Sequence, residues 1–189
     1  MNKKEDLRIQ KTRGALRAAF FDIIDFKRIE EITVNELCER AGVRRATFYK
    51  HYRDKNDFLL GIIKYMREEF DSSLPEGDAQ APGTDYYVAY AEALVDYLLS
   101  HIAIVDNLLH SEMRGAFFNM LLTQNFIDTH DRLNASVRNG LRLSVSPKTA
   151  TCFLTGGIGM TLLVWFESGR EQSREWLIGE ITKAIELLL

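Results

Sequence analysis

The chain has 189 residues, enough for one large domain or two small ones, and its 46% apolar content excludes a disordered chain. Its two cysteines, Cys38 and Cys152, each sit in an apolar helical pattern; they exclude a disulfide framework and read as small core residues in a reducing compartment. The net charge of −3 divides unevenly: residues 1–55 hold 14 Lys+Arg against 9 Asp+Glu (net +5), and the remainder hold 10 against 18 (net −8), so a basic front precedes an acidic body.

From Leu7 to Ile24, the apolar positions Leu16, Phe20, Ile23 and Ile24 recur at three- and four-residue spacing, which predicts an amphipathic helix. A break follows at 27–32. Thr33 stands three residues ahead of Glu36, a capping box that opens a helix carrying Val34, Leu37, Cys38 and Ala41. Gly42 is suited to end it, because glycine tolerates a left-handed turn. A short helix is predicted from Arg44 to His51. A fourth opens near Asp54 with Phe58, Leu59, Ile62, Ile63, Met66 and Phe70 on one side. Ser72–Thr84, with two prolines and two glycines, is the clear breaker and reads as a linker.

Beyond the linker, 85–110 reads as one or two apolar helices, and 114–143 as another, amphipathic through Phe117, Leu121, Phe126, Leu133 and Val137. Ser146-Pro147 opens the next helix, since proline suits a first turn, and Ser168-Gly169 ends it; a last helix spans about 172–189. The 18 uncharged positions from Thr149 to Phe166 have the minimum length of a membrane span. With three glycines, four threonines and no flanking positive cluster, they read instead as a buried helix. The N-terminus, MNKKEDLR, lacks the apolar stretch of a secretory signal. A cytoplasmic protein with no membrane contact is expected. No run of alternating β-branched residues competes, so the predicted fold class is all-α with about nine helices.

Two short helices joined by Ala41-Gly42-Val43 have the shape of a helix-turn-helix. Such a unit places its second helix in the major groove of DNA, roughly 12 Å wide, while the first crosses the backbone. Here the second reads Arg44-Arg45-Ala46-Thr47-Phe48-Tyr49-Lys50-His51-Tyr52. Phe48 and Tyr52, four apart, share a face and can anchor inward. Arg45 can fork onto guanine, and the methyls of Ala46 and Thr47 suit thymine. Tyr49, Lys50 and His51 offer polar ends to phosphates, and Thr33 and Lys55 lie at helix N-termini, where backbone amides favour an anion.

Residues 33–59, TVNELCERAGVRRATFYKHYRDKNDFL, closely resemble the DNA-binding signature of the TetR family of bacterial regulators. The matching elements are Thr33-Val34, Ala41-Gly42-Val43, Thr47-Phe48-Tyr49, His51-Tyr52, Lys55 and Leu59. The resemblance reaches back through Thr12, Leu16 and Ala18-Ala19-Phe20, and so covers about residues 8–65. It implies phosphate contacts from Thr33, Tyr49, His51 and Lys55, and base contacts from Arg45, Ala46, Thr47 and either Tyr49 or Lys50. Arg44 departs from the Ser or Asn that often caps the reading helix; this leaves the cap in doubt and adds a charge able to contact DNA. Ala46 stands where Gly or Ser is frequent. The expected organisation is a DNA-binding domain at 1–55, a connecting helix at about 54–71, and a helical regulatory and dimerisation domain at 72–189.

The resemblance further implies a homodimer on a palindromic double-stranded DNA operator, acting as a repressor released by a small-molecule effector. An alternative keeps the DNA-binding front but places the body under a protein partner, as in a coactivator. Trp165-Phe166-Glu167-Ser168-Gly169 resembles the end of the penultimate helix in one TetR subfamily. Gly156, Gly159, Trp165, Trp176, Ile181 and Ile185 are the candidate dimer residues; ordinary internal core is the competing explanation. Tyr90, Tyr97, His101, Met113, Phe117 and Phe126 are the candidate effector-pocket residues, in a stretch whose aromatic and Met content fits a plain helical core equally well. His101, His110 and Glu112 lack a tight metal-ligand frame. Gly157-x-Gly159 lacks a third glycine and a preceding strand. With no nucleophile–base constellation either, no enzyme activity, metal or cofactor is expected.

Overall fold

The computed structural model describes residues 3–74 and 83–189, with side chains from residue 7 onward. The predicted linker therefore lies, over 75–82, outside the described residues. Among those described there are nine α-helices, one short 3-10 turn and no strand. The helices are α1 (Lys3–Ile24), α2 (Val34–Ala41), α3 (Arg45–His51), α4 (Lys55–Ser73), α5 (Thr84–Ser100), α6 (Ile102–Leu109), α7 (Arg114–Arg138), α8 (Pro147–Glu167) and α9 (Arg174–Leu188), with the 3-10 turn at Ile29–Glu31. The stretch 85–110 is thus two helices, broken at His101. The helix predicted to reach Leu143 stops at Arg138, where Gly140, at φ 104°, takes a conformation closed to most residues.

The chain forms two compact units. The first runs to Met66 and takes in His101–Phe117; the second comprises Arg67–Ser100 and Phe118–Leu189. In the first, α1 packs on α2 and α6, and α2 on α3. The periodic residues of α1 become its core: Leu16, Phe20, Ile23 and Ile24 are buried, together with Leu37, Phe48, Phe58 and Leu108. In the second unit, α9 packs on both α5 and α8. Leu177, Ile181 and Ile185 of α9 are buried with Val95 and Leu98 of α5 and Leu154 of α8. Arg174 adds a bidentate clip from α9 to Asp96 of α5 (2.5 and 2.7 Å), and that hydrogen-bonded partner holds the Asp96 carboxyl below its usual range.

Among the described residues, α8 is the one single helix long and apolar enough to cross a membrane. In the structure one side of it, including Leu154, Leu162, Trp165 and Phe166, is buried in the second unit, while the opposite side is exposed. Ser146 caps the helix, accepting from the Thr149 N–H at 3.2 Å, and Pro147 fills its first turn. Cys38 is buried as expected, but Cys152 is exposed. It shares the outward side of α8 with Phe153, a distinction that apolar content alone does not reveal.

Candidate nucleic-acid interface

The reading unit is assembled by local caps. Thr33 adopts an extended backbone, and its Oγ1 accepts from the Glu36 N–H at 3.2 Å, satisfying one of the orphan donors of α2. The predicted return half of the capping box is not made: the Glu36 carboxylate instead receives the Lys27 ammonium at 2.6 Å. An ammonium nine residues away in sequence outcompetes a neutral backbone donor. Gly42, at φ 63°, ends α2 in the left-handed conformation. The chain then enters α3 through Arg44, an extended N-cap whose side chain makes no capping bond, in line with its departure from the family pattern. α4 is capped by Asp54, which accepts from the Asp57 N–H at 2.8 Å, while Asp57 accepts from the Arg53 N–H at 2.9 Å.

Phe48 fixes how α3 is presented. It is fully buried and rests against Phe58 and Tyr52, with ring centroids at 5.9 and 5.5 Å. Tyr52 packs edge-on against Phe58 at 5.1 Å. It also lies over Gly61, where an added Cβ would stand 3.2 Å from the Tyr52 ring. With Phe48 held inward, Arg44, Arg45, Ala46, Tyr49 and Lys50 are exposed, and Thr47 and His51 are half-buried. Arg45, Ala46, Tyr49 and Lys50 are spaced one, three and one residues apart, so they crown one side of a helix about 10 Å long. Arg45 lies 6.0 Å from the Tyr49 ring centroid. It makes no ion pair among the described residues, so its guanidinium fork is free to meet a base edge.

Two of the expected phosphate ligands have acquired further character. The Lys55 ammonium donates to the Ile29 and Glu30 carbonyls at 2.9 and 3.1 Å, clamping the 3-10 turn to the start of α4. One of its three N–H bonds remains for a phosphate. Burial, then repulsion from Arg13 and Lys50, holds the His51 imidazole below its ordinary range. It is therefore neutral at pH 7 and offers a hydrogen bond rather than a charge. Arg13, whose guanidinium sits 5.8 Å from the Tyr52 ring centroid, was not singled out by sequence reasoning. Its signal was a cation on the exposed side of α1, a helix read only for its apolar face.

Residues 29–62, from the 3-10 turn into α4, match the profile of the bacterial regulatory proteins, tetR family. The front of the chain is thus similar to the DNA-binding part of that family. It is 38% identical over 102 residues to an uncharacterised helix-turn-helix-type transcriptional regulator, YxbF, of Bacillus subtilis (strain 168). That match takes in 53% of this chain but only 26% of the relative's length. Among solved structures, a TetR/AcrR-family regulator from Thermobifida fusca superposes with a TM-score of 0.67 at 18% identity, covering 92% of this chain and 95% of that one. The fatty acid degradation regulator FadR of Bacillus halodurans does so with 0.60 at 15%, covering 96% and 94%. A dihydroxyacetone kinase operon activator, DhaS, gives 0.63 at 15%, covering 93% of each chain. At such identities these structures establish a shared fold. The matched segment, from the 3-10 turn through α2 and α3 into α4, is the part of the chain that resembles TetR-type DNA-binding regulators.

The six expected pocket residues divide between the two units. His101, Met113 and Phe117 belong to the first unit, where Met113 and Phe117 are buried and the His101 ring lies 6.2 Å from Phe21. Tyr97, in the second unit, donates its hydroxyl to Glu69 at 2.8 Å. Phe126 lines a shallow surface groove beside Leu122 and Cys152. Only Tyr90 faces a cavity of about 570 Å³, which it shares with Arg67, Tyr86, Tyr87, Asp128 and Arg132. Sequence reasoning passed over Arg67, although a cation within the apolar stripe Ile63–Met66–Phe70 of α4 is itself a signal.

The candidate dimer residues also divide. Trp165, Ile181 and Ile185 are buried within the second unit, so they brace the protomer and are not a surface for a second copy. The Trp165 indole N–H donates to the Gln172 carbonyl at 2.9 Å, and Gly169 turns left-handed at φ 72°. The Trp-Phe-x-x-Gly run is thus a device for ending α8 and turning into α9. Gly159 makes room for Leu122 of α7, a contact inside the unit. Gly156 lies half-buried in the groove beside Phe126. Trp176 is half-exposed, as are Phe153, Met160 and Val164, and Leu187 is 88% exposed.

Proposed function

We propose that this protein is a repressor that binds a two-fold symmetric operator as a homodimer and is released by a small-molecule effector. The observation that carries the reading is the disposition of α3. Phe48 is locked into the core while Arg45, Ala46, Tyr49 and Lys50 stand exposed, on a front with net charge +5. Arg45, Ala46 and Thr47 would read base edges, and Thr33, Tyr49, His51 and Lys55 would hold phosphates, with Arg44 and Lys50 adding charge.

A seven-residue reader contacts too few bases to select a genomic site alone, which favours two copies on half-sites one helical turn, about 34–36 Å, apart. The partner surface would be the outward side of α8 and α9. There Phe153, Gly157, Met160 and Val164, spaced by four, three and four, form an exposed stripe, and Phe153 and Gly157 share a groove with Trp176 and Leu188 of α9. The cavity of about 570 Å³ lies within the size range of small-molecule sites and supports the effector role. We take the regulatory domain to be the second unit and the site of action to be cytoplasmic.

Footprinting on the DNA upstream of the gene, repeated with small compounds, tests the reading. A symmetric protected site, lost on adding a compound that binds the protein, is the expected result. An unsymmetric footprint would overturn the homodimer, and release that requires a second protein would overturn the small-molecule effector.

A further inference from the structure

The cavity of the second unit is unusual in what its wall already satisfies and what it leaves open. Arg67, at 9% exposure, is tied into the wall through all three of its nitrogens: its guanidinium donates to Asp71 and Asp128 at 2.8 Å each and to Asn125, which also receives the Tyr90 hydroxyl at 2.6 Å. This closed network stiffens one wall. Tyr90 is correspondingly shielded, and burial pushes its phenol up to about 12.

Among the described residues, two donors on the same cavity have no hydrogen-bond acceptor. Arg132, one turn beyond Asp128 on α7, lies over the Tyr86 ring at 4.9 Å and has no carboxylate partner among the described residues. Asp128 instead accepts from Arg67 on one oxygen and from Gln124 on the other at 3.0 Å, and makes no ion pair with Arg132 among the described residues. Tyr87 is 5% exposed, and its hydroxyl is buried with no hydrogen-bond partner. An unpartnered buried hydroxyl is costly to the free protein and calls for a guest that satisfies it. Tyr87 from α5 and Arg132 from α7 line the same cavity.

We infer that this cavity takes a monocarboxylate on an aromatic or apolar body, with Arg132 gripping the carboxylate and the Tyr87 hydroxyl donating a further hydrogen bond. The inference rests on reading the cavity as the effector site and deepens it. A planar guanidinium supplies two parallel donors matched to a carboxylate. The body of the ligand would lie along Ala89 and Ala93, whose small side chains leave the space between Tyr86 and Tyr90 on α5. The charges set the limit on valence. Arg67, Asp71 and Asp128 together carry one negative charge, which opposes a dianion such as a phosphate monoester. A cation is disfavoured because Arg132 already covers the Tyr86 ring.

The test is calorimetry on the purified full chain with 2-naphthoate, 4-phenylbutyrate and octanoate, each paired with its primary amide. At least one acid is expected to bind roughly tenfold or more tightly than its amide. Arg132→Gln should bring that acid and its amide to equal affinity. Tyr87→Phe should weaken the acid several-fold while raising the thermal midpoint of the free protein, because the orphan hydroxyl is gone. Equal binding of acids and amides, no binding of any acid, or an acid preference that survives Arg132→Gln would each overturn the proposal. Release from operator DNA is scored separately. An acid that binds through Arg132 without releasing DNA would leave this site standing and overturn the effector role.

Discussion

Replacing Lys55 with Met keeps the aliphatic stem and removes only the ammonium, which isolates its two roles. In the free protein that ammonium donates to the Ile29 carbonyl at 2.9 Å, part-buried, and to the Glu30 carbonyl at 3.1 Å, exposed. Hydrogen bonds to charged groups contribute about 1.5–3 kcal/mol each when shielded. The exposed one keeps a fraction of that, since water replaces it, so the clamp stabilises by about 2 kcal/mol. For a chain of this length, that corresponds to a fall in Tm of about 4–8 °C in a thermal melt followed by circular dichroism. If the third N–H meets a phosphate, Lys55→Met also lowers the slope of log K against log salt by about 0.9 per protomer contact. An unchanged Tm would refute the clamp, and an unchanged salt slope would remove Lys55 from the phosphate contacts. The two results are independent.

Thr33→Ala should cost about 1 kcal/mol of stability through the lost N-cap on α2, measured by urea unfolding; no loss would show that the cap is replaced by water. His51, held neutral in the free protein, would be drawn toward its charged form by a phosphate oxygen, so the complex binds more protons than its parts. Operator affinity should therefore rise as pH falls from about 8 toward 6 at fixed ionic strength, and His51→Gln should flatten that component. Equal pH slopes in the two proteins would contradict the contact. Val164→Asp should give a folded monomer in sedimentation, while Trp165→Ala should lower stability by about 3–5 kcal/mol. A Val164→Asp protein that still sediments as a dimer would move the interface elsewhere.

The front of the molecule is legible in sequence because its determinants are local. Thr33 caps the helix it precedes, Gly42 ends it, and Phe48 and Tyr52 share an inward face across one turn; each acts within four residues. Where a determinant is non-local, the sequence misleads. Glu36 pairs with Lys27 instead of closing the capping box, and Lys55 spans 25 and 26 residues to reach two carbonyls. The body is less legible for the same reason. Helical periodicity identifies a buried face but not what buries it. Tyr90, Tyr97 and Phe126 therefore could not be separated from His101, Met113 and Phe117, which fold into a different unit. Trp165 and Trp176 look alike in sequence, yet one donates to Gln172 from the core and the other is half-exposed. The cavity is written in charged residues placed among apolar ones, above all Arg67.

The central claim is that α3 reads base sequence through Arg45, and paired titrations test it most directly. Wild-type protein and Arg45→Ala are titrated by fluorescence anisotropy onto the footprinted operator and onto a scrambled duplex, at one salt concentration. The account predicts that Arg45→Ala loses about 1–3 kcal/mol on the operator and much less on the scrambled duplex, with relaxed preference at one base pair in each half-site. An equal loss on both duplexes, or none on the operator, would contradict it.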